Sequence, residues 1–247
     1  MSFLVALYVP DGIVMAADSR LTFTQTRTLN DGSQTHTAVG ISDYSAKSFL
    51  TPSGVGICTY GAADIHGNPI GGVLTEFILD ETDETTNVDD VARRLLEYIR
   101  DAHSELPTGF LVGGYIDGED GKPAPRIWDL YVANNYIKQT CVPGHHGLSW
   151  RGVCDVLTRL IQPLYVKSGD DYTALTQFQI QWSAMPLGEA VDFAAYAVES
   201  TVELMRFQPR GRTVGGEVEV MVITPAGSRW INKKELRVSG DHYLGVG

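Results

Sequence analysis

Positive charge is scarce in this chain. Its 247 residues carry 19 Lys and Arg against 30 Asp and Glu, a formal net charge of −11. A polyanion such as nucleic acid, or an anionic membrane surface, is therefore not the expected partner. Long apolar runs are missing too, and none approaches the ~18 residues that a membrane-spanning helix needs. No basic n-region opens the chain: the first cation is Arg20, and Asp11 and Asp18 interrupt the early apolar stretch. The expectation is a cytoplasmic protein with no targeting segment. Cysteine is sparse, with three residues (Cys58, Cys141, Cys154), an odd number without framework spacing. Reduced thiols used as small buried hydrophobes fit this better than a disulfide scaffold or a nucleophile.

An apolar content of 43% excludes intrinsic disorder and suffices for a sizeable core. Phe3 to Val9, the turn Pro10-Asp11-Gly12 and Ile13 to Ala17 read as a β-hairpin. Neither strand alternates cleanly, so both are expected to be covered on two faces. Lys47 to Thr51 and Val55 to Tyr60 suggest a second strand pair. Ile70 to Ile78 has helical spacing. Asn87 reads as the N-cap of a helix whose apolar face is Val88, Val91, Ala92, Leu95, Ile99 and Ala102. Strands are expected at Phe110–Ile116, Ile127–Val132 and Tyr136–Cys141, then helices at Trp150–Ile161 and Leu187–Phe207. Strands at Glu217–Thr224 and Ser228–Ile231 close the order. Segregated hairpins and helix pairs argue against a doubly wound sheet and for two antiparallel sheets with helices outside each. No linker, composition step or repeat divides the chain. The expectation is one domain over 1–247, with an enlarged loop or hairpin at 23–46 and a C-terminal arm at 236–247.

The N-terminus has a chemical peculiarity. Loss of Met1 would expose Ser2 with a free amine and a hydroxyl together. An α-amine has a pKa of about 7.7–8.0 and serves as a base near neutral pH, which a backbone amide does not. The hydroxyl is then a nucleophile whose proton passes to its own amine. The hairpin puts Ser2 across from about residues 19 to 21, which brings Asp18 near it. Lys47, opening the next strand, is the cation that Asp18 would fix, and an ammonium there lowers the pKa of the Ser2 groups. The Gly61 N–H, at a strand end before a helix, is a candidate oxyanion donor. On spacing alone each has an ordinary alternative: Ser2 as an exposed chain end, Asp18 as a turn or cap residue, Lys47 as a solvated lysine. His145-His146 near Cys141 give no metal set, because adjacent histidines point apart on a strand and no carboxylate spacing completes one. No metal or cofactor is expected.

The stretch Ser2-Phe-Leu-Val-Ala-Leu-Tyr-Val-Pro-Asp-Gly-Ile-Val-Met-Ala-Ala-Asp-Ser-Arg20 resembles the start of a mature proteasome β-type subunit, as do Ala46-Lys47 and Thr59-Tyr60-Gly61-Ala62-Ala63-Asp64. The family is that of the N-terminal nucleophile (Ntn) hydrolases, with the bacterial HslV peptidase and the proteasome-homologue ring proteins among its members. The resemblance is dense over 2–22 and 47–64 and thin beyond. It implies an α+β fold, a four-layer αββα sandwich. It implies Ser2 as nucleophile with Asp18 and Lys47 completing the site, the Gly61 N–H as oxyanion hole and Thr22 as a backbone clamp on an extended substrate. A specificity pocket of Leu21, Ser45, Phe49, Thr59 and Ala63 follows, uncharged and so suited to an uncharged side chain.

This sequence departs from the family pattern in carrying Ser in place of the usual Thr. The helper Asp and Ser before a Gly-Gly pair are also missing, since Gly211-Arg-Thr-Val-Gly215-Gly216 offers only Thr213. Ser149 matches the family's other helper serine, or else caps a helix starting at Trp150. The implied activity is that of a self-compartmentalising peptidase on peptides or unfolded proteins, in homo-oligomeric stacked rings, with room for an ATP-dependent unfoldase and no nucleic-acid or membrane partner. The alternatives are a catalytically silent ring scaffold, and an amidase for small molecules.

Overall fold

The computed structural model describes residues 2–28, 33–118, 120–141 and 144–234. The C-terminal arm expected at 236–247 lies outside them. In chain order the strands and helices are β1 (Phe3–Val9), β2 (Gly12–Asp18), β3 (Leu21–Thr28), β4 (Gln34–Ser42), β5 (Ser48–Leu50), β6 (Gly56–Gly61), β7 (Asp64–Ile65), β8 (Asn68–Pro69), α1 (Ile70–Glu81), α2 (Val88–His103), β9 (Thr108–Asp117), β10 (Pro123–Tyr131), β11 (Tyr136–Gln139), β12 (Gly147–Gly152), α3 (Asp155–Ile161), β13 (Tyr165–Ser168), β14 (Asp171–Ala174), α4 (Leu187–Met205), β15 (Val218–Thr224) and β16 (Gly227–Asn232). Two antiparallel five-stranded sheets carry the chain, ordered β12-β1-β2-β15-β16 and β11-β10-β9-β6-β5. β3-β4, β7-β8 and β13-β14 are separate two-stranded hairpins.

Side-chain alternation explains why β1 and β2 look apolar throughout. Leu4, Ala6, Ile13, Met15 and Ala17 point between the sheets, against Cys58, Leu111 and Ile127 of the second sheet and Met221 and Ile223 of their own. Phe3, Val5, Leu7, Val14 and Ala16 point the other way, against Leu157 of α3 and Ala190, Ala194, Ala197 and Val198 of α4. A period of two thus buries both sets. On the second sheet, Ile57, Phe110, Val112 and Leu130 face Leu74 and Phe77 of α1 and Val88, Val91, Leu95 and Ile99 of α2. Asn87 caps α2 as its sequence position predicts: its side chain accepts the N–H groups of Asp89 and Asp90, both at 3.0 Å. Residues 23–46, expected as an enlarged loop or hairpin, contain most of the β3-β4 hairpin.

The expected four-layer αββα sandwich is corrected. The described chain is sheet-rich, with five antiparallel sheets and four α-helices, and the second helix pair is unequal, α3 having 7 residues against 19 in α4. The helix expected over Trp150–Ile161 accounts for the difference. Its first part is strand β12, paired with β1 from Phe3↔Gly152 to Tyr8↔Gly147, and seven residues remain as α3. The physical reason is the outer edge of β1, whose unpaired N–H and C=O groups take a strand over a local helical preference. Gly152 then turns the chain out of the sheet at φ +89. The hairpin β13-β14 is a further feature that the periodicity did not announce.

Candidate active site

Hairpin register builds the centre of the site. β1 and β2 are joined by the two-residue turn Pro10-Asp11, with Val9↔Gly12 at one end and Leu4↔Ala17 at the other. One step further puts Asp18 opposite Phe3, next to Ser2. β15 flanks Asp18 on its other side, with Val218↔Asp18 as partners. The Asp18 carboxylate is fully buried, and four donors meet it there. Oδ1 accepts the Phe3 N–H at 3.0 Å and the Lys47 Nζ at 2.8 Å. Oδ2 accepts the Gly215 N–H at 3.0 Å and the Arg20 N–H at 3.2 Å. Both oxygens are therefore used, which is the condition for burying a carboxylate without large loss.

Lys47 is also buried, 4% exposed. Burial pushes its ammonium below the usual lysine range, while the charge and hydrogen bond of Asp18, and then the charge of Glu219, pull it back up. Ser2 is 6% exposed. Its carbonyl accepts the Val153 N–H at 2.8 Å, and Gly152 passes so close that a Cβ there would lie 1.9 Å from the same oxygen. None of the ordinary alternatives for Ser2, Asp18 and Lys47 describes these burials: an exposed end, a turn residue and a solvated lysine would all meet water.

One small pocket brings most of the sequence-predicted residues together. Ser2, Leu21, Thr22, Ser45, Lys47, Thr59, Gly61 and Ala63 line it, joined by Arg20, Tyr60, Ala62 and Ile70. Asp18 lies behind this lining, holding Lys47. The hydroxyls of Thr22 and Thr59 are buried and have no hydrogen-bond partner, so the pocket holds polar groups that its own residues leave unpaired. Gly61 ends β6 at φ +103, and a Cβ there would fall 2.3 Å from the Pro107 carbonyl oxygen. A glycine is therefore required both by conformation and by space.

Two predicted residues are placed elsewhere. Phe49 does not line the pocket and packs into the core beneath α1 and α2. Ser149 neither caps a helix nor reaches the site. It is in mid-β12 opposite Ala6, three pairs from Phe3↔Gly152 and so about 10 Å along the strand. Thr213 is buried with its hydroxyl unpaired and is not part of the pocket wall.

Other groups at the site are not evident from spacing. The Gly215 N–H on Asp18 comes from the Gly-Gly pair, which the sequence reading considered for the missing helper residues before it and not for its own amide. Arg20 forks onto Asp43, Nε to Oδ1 at 2.5 Å and Nη2 to Oδ2 at 2.8 Å, and so pins the two ends of the β3-β4 hairpin. Its hydrogen bond holds the Asp43 carboxyl below the usual range. Arg151 crosses from β12 to the buried Asp129 of β10, with Nε to Oδ2 at 3.0 Å, and joins the two sheets beside Tyr60. These partners are 22 or more residues apart, beyond the reach of a local pattern.

The thiols are poor nucleophiles. Burial pushes Cys58 up to about 12 and Cys141 up to about 11, and raises Cys154 as well. Among the described residues no group of three or more His, Cys, Asp or Glu could hold a metal ion, and no helix is long and apolar enough to cross a membrane. His146 packs against Tyr8 in a tilted arrangement, with ring centroids 4.9 Å apart.

No protein-family model matches this chain, nor does any curated protein sequence. Solved structures do match. One is the Gly-1 mutant of Anbu from Hyphomicrobium sp. strain MC1, with a TM-score of 0.59 and 19% identity, covering 98% of this chain and 89% of that one. Another is Anbu from the same strain, with a TM-score of 0.56 and 19% identity, covering 94% and 88%. At that identity the likeness is one of fold, and it corrects the sequence-level placement beside HslV: the chain has a proteasome-like fold, and Anbu proteins are among its structural neighbours.

Proposed function

We propose that this protein is an N-terminal nucleophile hydrolase that cleaves peptide bonds with Ser2 as nucleophile once Met1 has been removed. The observation that carries the reading is the buried Lys47–Asp18 ion pair at 2.8 Å, which opens with Ser2 and Gly61 onto one pocket. A carboxylate and an ammonium both withdrawn from water are costly, and a structural role would be served as well by apolar residues.

The chemistry follows from the groups present. The same Asp18 oxygen holds the Lys47 ammonium and the N–H directly after Ser2, so the ammonium is fixed beside the Ser2–Phe3 peptide. Its positive charge lowers the pKa of the Ser2 hydroxyl and amine. The neutral α-amine takes the hydroxyl proton as Oγ attacks the substrate carbonyl, and the Gly61 N–H stabilises the oxyanion. Collapse of the adduct breaks the amide C–N bond, with the α-ammonium returning its proton to the leaving amine. Water then cleaves the acyl-Ser2 ester by the same groups. Apart from Lys47 and Arg20, each engaged by an aspartate, the pocket lining is uncharged, and with the unpaired Thr22 and Thr59 hydroxyls it suits an uncharged substrate side chain. Homo-oligomeric rings enclosing such sites complete the reading, and solution mass tests that part.

The test is intact-mass analysis of the purified protein followed by peptide hydrolysis by the wild type and Ser2→Ala. The expected result is loss of one methionine from the wild type and loss of hydrolysis in the variant. Hydrolysis undiminished in Ser2→Ala would refute the assignment. Retained Met1 with no hydrolysis would favour a silent scaffold, and turnover of small amides without peptides an amidase. Activity should be bell-shaped in pH, with an acid limb below the free α-amine value of about 7.7, because the Lys47 charge disfavours protonation of that amine, and an alkaline limb where Lys47 loses its charge.

A further inference from the structure

A second carboxyl is buried beside Lys47. Glu219 lies on β15 opposite Ala17 and is 3% exposed. Alternation puts it on the face shared by Met221 and Ile223, both in the apolar core between the two sheets. An apolar residue would be the ordinary choice there. Instead a carboxyl stands there: burial raises it above the usual glutamate range, and the Lys47 and Lys234 backbone N–H groups, the Lys233 charge and the Ser48 hydroxyl pull it back down. Its Oε2 has no hydrogen-bond partner. The thiol of Cys58, which donates to Ser48 Oγ at 3.6 Å, lies near the same carboxyl.

Asp18, Lys47 and Glu219 therefore form a buried group of two acids and one base, 0%, 4% and 3% exposed. Lys47 also faces Arg20 and Asp43, and Asp43 faces Lys234. Asp18 shares its charge among four donors, while Lys47 has to stay charged in a site that burial has dried. We infer that Glu219 is a positioning residue for Lys47: it holds the start of β5 from the opposite sheet, and its negative charge, added to that of Asp18, keeps the proton on the ammonium. This rests on the reading of Lys47 as a working group of the site.

The test is the titration of Lys47 itself, followed through its 13Cε resonance in lysine-labelled protein, with Lys47→Arg as the assignment control. Glu219→Gln keeps the shape and removes the charge. Its expected effect is a Lys47 midpoint about one pH unit lower than in the wild type, with the alkaline limb of hydrolysis moving down by the same amount and KM unchanged. A Lys47 midpoint that is unmoved or raised would overturn the inference. Should Glu219→Gln not fold, the wild type still decides: ionisation of Glu219, read at its 13Cδ, must appear as a second inflection in the Lys47 resonance, and its absence is equally fatal. Hydrolysis persisting in Ser2→Ala would end the hydrolase reading and leave the Lys47 titration to judge Glu219 on its own.

Discussion

Asp18→Asn is the substitution whose consequence can be worked furthest. The side chain keeps its shape, but the charge disappears and one acceptor becomes an NH2 donor. In the wild type, Oδ1 serves Phe3 N–H and Lys47 Nζ, and Oδ2 serves Arg20 N–H and Gly215 N–H. Whichever way the amide turns, its NH2 faces two donors and leaves them unpaired. If the amide oxygen keeps the Lys47 side, two backbone N–H groups are stranded. If it keeps the other, an ammonium is stranded in a site 4% exposed. Breaking a buried ion pair from one side costs about 3–5 kcal/mol. For a chain of this size that lowers the melting temperature by roughly 6–20 °C. The sign with pH can be fixed as well. Lys47 already has its folded pKa depressed by burial, with Asp18 the strongest influence opposing the depression. Removing Asp18 depresses it further. A base with a depressed folded pKa lowers stability at pH values below its folded pKa, and the penalty disappears as pH rises past the unfolded lysine value of about 10.4. The deficit of Asp18→Asn should therefore be largest on the acid side of the folded Lys47 pKa and narrow as pH rises toward about 10. Thermal melts of both proteins across that range measure it. A deficit under about 1 kcal/mol at pH 7, or one that does not change with pH, would show that the pair is not electrostatically coupled as described.

The sequence made the site more legible than the architecture around it, for a physical reason. Asp18 follows Ser2 through a two-residue turn, so hairpin register alone carries it to its place. Lys47, just before β5, and Gly61, the last residue of β6, lie at the same open end of that antiparallel pair, where apolar runs and a turn make the strand ends visible. These are local relations, and local periodicity reports them. Gly215, Arg151 and Glu219 come to Asp18, Asp129 and the core between the sheets from segments distant in sequence, and a single chain read by pattern has no signal for that. The Trp150–Ile161 segment shows the same limit. Its spacing suits a helix, but the backbone of β1 needed an edge partner, and tertiary pairing overrode the local preference. The capping alternative for Ser149 fails for the same reason, because it depends on that helix. The layer arrangement depended on counting helices on each side, so one misread segment was enough to spoil it.

Two further substitutions separate the site from the scaffold. Asn87→Ala removes the acceptor for the Asp89 and Asp90 N–H groups and should cost about 1 kcal/mol in denaturant unfolding; peptide hydrolysis should be unchanged, and a loss of activity would mean that the α2 cap is tied to the site. Gly61→Ala tests the oxyanion position with the opposite signature. Its Cβ would meet the Pro107 carbonyl oxygen at 2.3 Å and the Thr108 Cα at 2.8 Å, in a conformation of φ +103 that alanine resists. Those neighbours belong to the backbone, so relief comes by moving the β6 end away from β9, and the Gly61 N–H moves with it. The expected cost is about 1–3 kcal/mol from the strained conformation, with kcat falling by 10²–10³-fold if the N–H is an oxyanion donor and KM changing far less. Stability lost with kcat intact would remove Gly61 from the mechanism and leave it a turn residue, because a donor displaced from the oxyanion cannot keep its contribution to the transition state.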